Sequence, residues 1–150
     1  MSQTTHTANN KVVELATFFV GEALCGMDIL RVQEINKLME RTWVPQAPQY
    51  VLGVLNLRGR IVTIIDLGKK LGLSPTKPSD ATRNIIVTSQ DEYIGLLVDR
   101  IGDVMLARWD KIESPPSNIK GVQGKFFEGV YKTYDSLVGI LDVEEVLKDE

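Results

Sequence analysis

Residues 53–67 carry the sequence GVLNLRGRIVTIIDL, in which two apolar runs flank the turn-like residues NLRG at 56–59. Apolar and β-branched runs on both sides of a glycine-containing turn are typical of a β-hairpin. Gly59 or Asn56 can supply the positive φ that such a turn needs, and the turn then holds Arg58 near the surface. The stretch therefore predicts strands at 53–57 and 60–65, with an arginine between them.

The same pattern occurs a second time, at residues 129–143, which read GVYKTYDSLVGILDV and align with 53–67 without gaps. A weaker pairing aligns two further sets of four residues, Gly26, Arg31, Val32 and Ile35 with Gly95, Arg100, Ile101 and Val104. An internal repeat of this kind predicts two similar halves, each with enough chain for one small β-barrel.

The remainder of the chain consists of short β-rich runs bounded by turns. Further strands are predicted at 12–20, 23–27, 32–38, 84–88, 93–98, 103–106, 127–133 and 137–141. Short helices are expected at 66–72, with Asp66 as N-cap, and at 142–148, where Asp142 and Glu145 resemble a capping box. Residues 74–82 and 114–124 are predicted to be irregular. Because closed barrels hide the edges of many short strands, we expect an all-β fold of two packed five-stranded barrels.

Composition narrows the functional classes. The chain has 150 residues, a net charge of -3 and one cysteine, Cys25, which we interpret as a core residue of a protein in a reducing compartment. It has no apolar run long enough for a membrane span and no secretory signal, so we expect a soluble, cytoplasmic protein without membrane insertion. The acidic balance argues against nucleic acid as a partner. Residues 1–10, which include the single histidine His6, are predicted to form a disordered tail.

The sequence carries no catalytic or cofactor-binding motif. Phosphate-binding loops, dinucleotide fingerprints, paired-cysteine motifs and nucleophile elbows are all missing from it. The paired carboxylates at 91–92, 144–145 and 149–150 fall in predicted turns, a helix start and the end of the chain, where solvated charge is the ordinary explanation. We therefore expect no enzyme activity, no metal site and no cofactor, and a function in binding.

Three segments resemble the CheW family of bacterial chemotaxis coupling proteins. They are residues 48–67, residues 26–35 and residues 94–104, and the resemblance extends in order from Val12 to Lys148. It implies a single domain over 11–150, with two intertwined SH3-like barrels around a shared hydrophobic core. It also implies a non-catalytic adaptor, recruited to membrane-associated receptor arrays. The implied partners are the regulatory domain of a CheA-like histidine kinase, the cytoplasmic tip of chemoreceptors and other CheW-like domains.

The resemblance also implies which residues bind the receptor. Ile29, Val32, Arg58, Val98 and Ile101 are expected to line a groove between the barrels that receives a helical tip. For each apolar member of this set, plain core packing is the alternative. A structural ion pair between Arg58 and Glu34 is a second interpretation of the arginine, compatible with the first.

For the kinase, the resemblance implies that one barrel packs against another. Met39, Trp43 and Val44 flank a charged turn and are candidates for an exposed anchor, because tryptophan and methionine are enriched at interfaces. The alternative, which we favour from the sequence, is that Trp43 caps the barrel core, and the same interpretation applies to Trp109.

Three other functions remain open at this point. One is an adaptor of a different receptor–kinase pathway, another is a small-barrel nucleic-acid-binding protein, and the third is an enzyme with a dispersed site. Because no receiver domain or kinase core is attached, we expect a stand-alone adaptor.

Overall fold

A computed structural model of the protein describes residues 11–148. The predicted tail at 1–10 and the carboxylates of Asp149 and Glu150 lie outside the described residues. The strands are β1 (Val12–Val20), β2 (Ala23–Asp28), β3 (Glu34–Lys37), β4 (Val51–Leu57), β5 (Arg60–Asp66), β6 (Arg83–Ser89), β7 (Glu92–Val98), β8 (Arg100–Arg108), β9 (Asn118–Ile119), β10 (Val122–Gln123), β11 (Phe127–Lys132) and β12 (Leu137–Leu141). The helices are α1 (Leu67–Lys70), α2 (Val143–Leu147) and three 3-10 turns at Ile29–Arg31, Trp109–Lys111 and Gly124–Phe126.

Ten of the strands form two five-stranded sheets. Barrel A has the order β11-β12-β2-β1-β8, and barrel B has the order β3-β6-β7-β5-β4. The prediction of an all-β fold with two five-stranded units is confirmed. The remaining strands, β9 and β10, form a small hairpin inside the segment that the sequence predicts to be irregular.

The two sequence repeats exchange hairpins, so neither repeat forms a barrel alone. Barrel A combines β1 and β2 from the first repeat with three strands of the second, and barrel B combines β6 and β7 with three strands of the first. Each exchanged hairpin, β1–β2 or β6–β7, pairs in parallel with a strand of the other repeat. The pairs lie at repeat-related positions, Gly26 with Ile140 and Gly95 with Ile64. The barrels are therefore intertwined, and the chain passes from one to the other twice.

Two glycines of the repeat allow each barrel to close. Gly53 and Gly129 lie at register shifts in their hairpins, next to the single bridges that close the barrels, Thr42 with Val54 and Glu113 with Val130. A Cβ on Gly53 would lie 2.5 Å from the carbonyl oxygen of Thr42, and a Cβ on Gly129 would lie 2.8 Å from that of Glu113. The closing segment can approach only because no side chain is present.

The apolar residues divide into a small interior for each barrel and a larger core between the barrels. Alternation along β5 shows how one strand serves both: Val62 and Ile64 face the interior of barrel B, while Ile65 joins the shared core. Phe18 from β1, fully buried, is one of the largest side chains in that shared core. The shared hydrophobic core implied by the resemblance is present.

Both predicted helices begin at the predicted caps. The Asp66 carboxylate accepts a hydrogen bond from the backbone N–H of Lys69, and that of Asp142 accepts one from Glu145. The capping box at Asp142 is only half formed, because the Glu145 carboxylate pairs with Lys148 and does not return to the N-cap.

Candidate functional site

The turn between β4 and β5 places an arginine in an unusual backbone conformation. Arg58 has a φ of 52° and Gly59 a φ of 84°, while Asn56 stays in β4 and its side-chain oxygen accepts a 2.8 Å bond from the Gly59 N–H. Of the two residues expected to supply a positive φ, Gly59 does so and Asn56 does not, because Leu57 pairs with Arg60 and the turn consists of the two residues between them.

A two-residue hairpin turn of this kind requires a positive φ at both of its central residues. The turn between β9 and β10 has the same geometry, with φ of 50° at Lys120 and 96° at Gly121, whose N–H donates to the Asn118 side chain.

Arg58 is held from the side by a carboxylate. Its Nη2 donates a hydrogen bond to Oε2 of Glu34, so the two residues that the sequence analysis paired are in contact. Glu34 lies at the start of β3, opposite Ile86 of β6. The Arg58 side chain remains 67% exposed, so the guanidinium is accessible to acceptors on another molecule.

A second arginine lies next to this pair. The guanidinium of Arg60 stacks over the Tyr93 ring at 4.7 Å and donates a hydrogen bond of 2.5 Å to its hydroxyl. Arg58, Arg60 and Glu34 surround a shallow depression of about 220 Å³ whose apolar lining includes Val62. Sequence reasoning missed Arg60 and Tyr93, which are brought together by the parallel pairing of β5 with β7.

The apolar residues expected in the receptor groove divide into two groups. Ile29, Val32 and Ile101 are half-buried, and Val32 and Ile101 pack at the border of the shared core. Val98 is completely buried, because its side chain packs in the shared core between the barrels. The core-packing alternative holds for Val98, and the structure does not place it on a groove surface.

The expected kinase anchor lies on the segment that closes barrel B. Trp43 is 71% exposed, while Met39 and Val44 are half-buried. The interpretation that Trp43 caps the barrel core is therefore wrong. One bridge at Thr42 is the only strand pairing described in this segment, so it does not force alternate side chains into the interior. Trp109 is 44% exposed and lines a pocket with Leu15 and Ile140 of barrel A, so its capping role stays a prediction.

A polar cluster that sequence reasoning did not find connects the two barrels. Arg31 donates to the Glu144 carboxylate of α2 at 2.9 Å and to the carbonyl of Thr88 at 3.2 Å. The Ser89 hydroxyl donates to the other oxygen of Glu144 at 2.8 Å. The hydrogen bonds from Ser89 and Arg31 lower the pKa of Glu144 below its ordinary value. We call Arg31, Glu144 and Ser89 the latch.

Neither a metal site nor a reactive thiol is supported among residues 11–148. Within that range no group of three or more histidine, cysteine, aspartate or glutamate residues could hold a metal ion. Burial raises the pKa of the Cys25 thiol to about 12, so it stays protonated and unreactive. None of the helices in the same range is long and apolar enough to cross a membrane.

Comparison with known proteins agrees with this architecture. The CheW-like domain model matches residues 14–150. The chain is 34% identical to the chemotaxis protein CheW of Helicobacter pylori, covering 95% of this chain and 86% of that protein. It is 33% identical to CheW of Bacillus subtilis, with 96% and 93% covered. The crystal structure of the scaffolding protein TtCheW from Thermoanaerobacter tengcongensis superposes with a TM-score of 0.84 at 32% identity, covering 92% of this chain and 89% of that one. The chain therefore belongs to the CheW-like domain family.

Proposed function

We propose that this chain is a chemotaxis adaptor that couples chemoreceptors to a CheA-like histidine kinase by binding both, without catalysis. Two relatives of this chain carry the name chemotaxis protein CheW, and the TtCheW structure that it resembles is that of a scaffolding protein. The single observation that carries the proposal is the exposed Arg58, held by Glu34 at the tip of a two-residue turn.

The proposed receptor-binding surface contains Arg58 and the residues around it. The guanidinium offers a planar fork of donors to carboxylate or carbonyl groups, and Glu34 fixes its direction. Ile29, Val32 and Ile101 supply half-buried apolar surface, of the kind on which an amphipathic helical tip packs. In this proposal they form the receptor groove together with Arg58, and Val98 supports it from the core.

The proposed kinase-binding surface contains Trp43, with Met39 and Val44 beside it. A tryptophan with 71% of its surface exposed loses a large apolar area from water when a partner covers it. Its place on the closing segment of barrel B makes it available to another barrel. Pairing of this surface with the regulatory domain of the kinase, or with a second CheW-like domain, follows from the family resemblance.

Co-sedimentation distinguishes receptor binding from kinase binding. Receptor-containing membranes are sedimented with the kinase and either wild-type chain, Arg58→Ala or Trp43→Ala. We expect Arg58→Ala to stay in the supernatant, where gel filtration should show that it still binds the kinase. Trp43→Ala should sediment with the membranes but bring no kinase with it. If both variants sediment with both partners as wild type does, the assignment of these surfaces is wrong.

A further inference from the structure

The mouth of barrel A is a pocket that the proposed adaptor contacts do not use. Its volume is about 310 Å³, at the lower end of the range of small-molecule sites. The floor is formed by the buried side chains of Leu15, Met27 and Ile140. Two exposed apolar residues rise beside it: Leu30, 84% exposed, and Trp109, 44% exposed. The pocket therefore offers an apolar interior with an aromatic and an aliphatic wall.

The rim of this pocket is acidic. Asp28 and Glu128 line it, and the pKa of Glu128 is raised by burial and by the nearby carboxylates of Asp142 and Asp28. Arg31 is the cation among the lining residues. Its charge lowers the pKa of Glu128, but burial and the carboxylates outweigh it, and its guanidinium donates to Glu144 of the latch. The carboxylates at this mouth therefore repel one another, and a cation placed between them would relieve that repulsion.

We propose that the mouth of barrel A is a docking pocket for a lysine or arginine side chain of a protein partner. An apolar floor takes up the methylene stem of such a side chain, since long cationic residues bury their stems and keep their charged heads at a polar rim. Trp109 provides an aromatic wall that favours a cation. The depression of barrel B differs in charge, because Arg58 and Arg60 lie on its rim, so the two barrels select different groups.

Small analogues of the side chains test this pocket without receptor or kinase. The ¹⁵N- and methyl-labelled protein is titrated with n-butylammonium, the lysine side chain alone, and in parallel with n-butanol and valerate. The free energy that a fragment gains on binding is limited by its small number of heavy atoms, so the titration extends into the millimolar range. We expect butylammonium to shift the Trp109 indole N–H and the Leu30 methyl resonances in a saturable way, and valerate to leave both unchanged. Equal shifts from valerate, or butylammonium shifts spread over the acidic surface, would overturn the proposal.

A charge-neutral variant and a matched control complete the test. Glu128→Gln should weaken butylammonium binding about fivefold, the effect of removing one charge near a surface cation, and should leave butanol unaffected. The fold should survive, because neutralising Glu128 removes a carboxylate that its neighbours disfavour. Glu14→Gln is the control, since Glu14 is exposed on the same strand as Leu15 but does not line the pocket. Equal binding by wild type and both variants would contradict the acidic rim as the selecting feature.

Discussion

At the scale of single residues, Arg58 combines a positive φ with an exposed, charged side chain that Glu34 holds in place. Its φ of 52° would suit glycine or asparagine better than arginine, and its pair with Glu34 is too exposed to add much stability. The positive φ serves the two-residue hairpin turn, which requires it at both central residues, and Lys120 adopts a φ of 50° in the equivalent turn between β9 and β10. The feature that points to binding is therefore the exposed guanidinium that Glu34 holds in place.

Charge reversal tests whether Arg58 and Glu34 act as one unit. We expect Arg58→Glu and Glu34→Arg each to abolish receptor control of kinase activity, because each places two like charges side by side. The double variant, which restores an opposite pair, should recover part of that control in the same assay. If the double variant is as inactive as the single ones, the pairing is not the functional unit.

Replacing Arg58 by asparagine separates function from stability. Asparagine adopts positive φ more readily, so Arg58→Asn should keep or raise the free energy of unfolding, by up to about 1 kcal/mol, while receptor binding is lost. Urea denaturation followed by tryptophan fluorescence measures the stability, and co-sedimentation measures the binding. A loss of more than about 2 kcal/mol would show that Arg58 is mainly structural.

At the scale of elements, the glycines that close the barrels explain why the repeat is visible in the sequence. Gly53 admits the Thr42 carbonyl, so we expect Gly53→Ala to destabilise the protein by about 2–3 kcal/mol. Gly59→Ala is the matched control: Gly59 also has a positive φ, but a Cβ there meets nothing within 4 Å, so only about 1 kcal/mol is expected. Equal losses in thermal unfolding would mean that the contact with Thr42 is unimportant.

The latch should make the free energy of unfolding depend on pH. The folded-state pKa of Glu144 is lowered, so its contribution is present above the unfolded pKa of about 4.3 and is lost as pH falls through the lower folded value. Because the group is half exposed, that contribution is below about 1 kcal/mol. Glu144→Gln should therefore be slightly less stable than wild type at pH 7 and equal to it near pH 2. A constant difference across this range would exclude the ionised latch.

Local patterns predicted the elements well because the signals are local. The strands around residues 53–67, the turn at Gly59 and the caps Asp66 and Asp142 each depend on a few neighbouring residues. The exposure of Trp43, the burial of Val98 and the latch depend on which distant strands become neighbours. Local sequence patterns do not reveal which distant strands pair, so these features become visible only in the structure.

At the scale of the whole molecule, the exchange of hairpins makes the two barrels depend on one core. Phe18, on an exchanged strand, lies in that shared core, so Phe18→Ala should lower the free energy of unfolding by about 3–5 kcal/mol. Amide hydrogen exchange should show equal loss of protection in β4–β5 of barrel B and β11–β12 of barrel A. Ile61→Ala, at a 62% exposed position, serves as the control with little change. Loss confined to barrel A would contradict a single cooperative unit.

The proposed role in coupling is tested most directly by reconstitution. Chemoreceptor membranes, histidine kinase and this chain are combined, and kinase autophosphorylation is measured with and without receptor ligand. We predict that ligand changes kinase activity only when the wild-type chain is present, and that Arg58→Asn, which stays folded, does not support this control. Kinase activity that ignores the receptor ligand in the presence of folded wild-type chain would contradict the adaptor function.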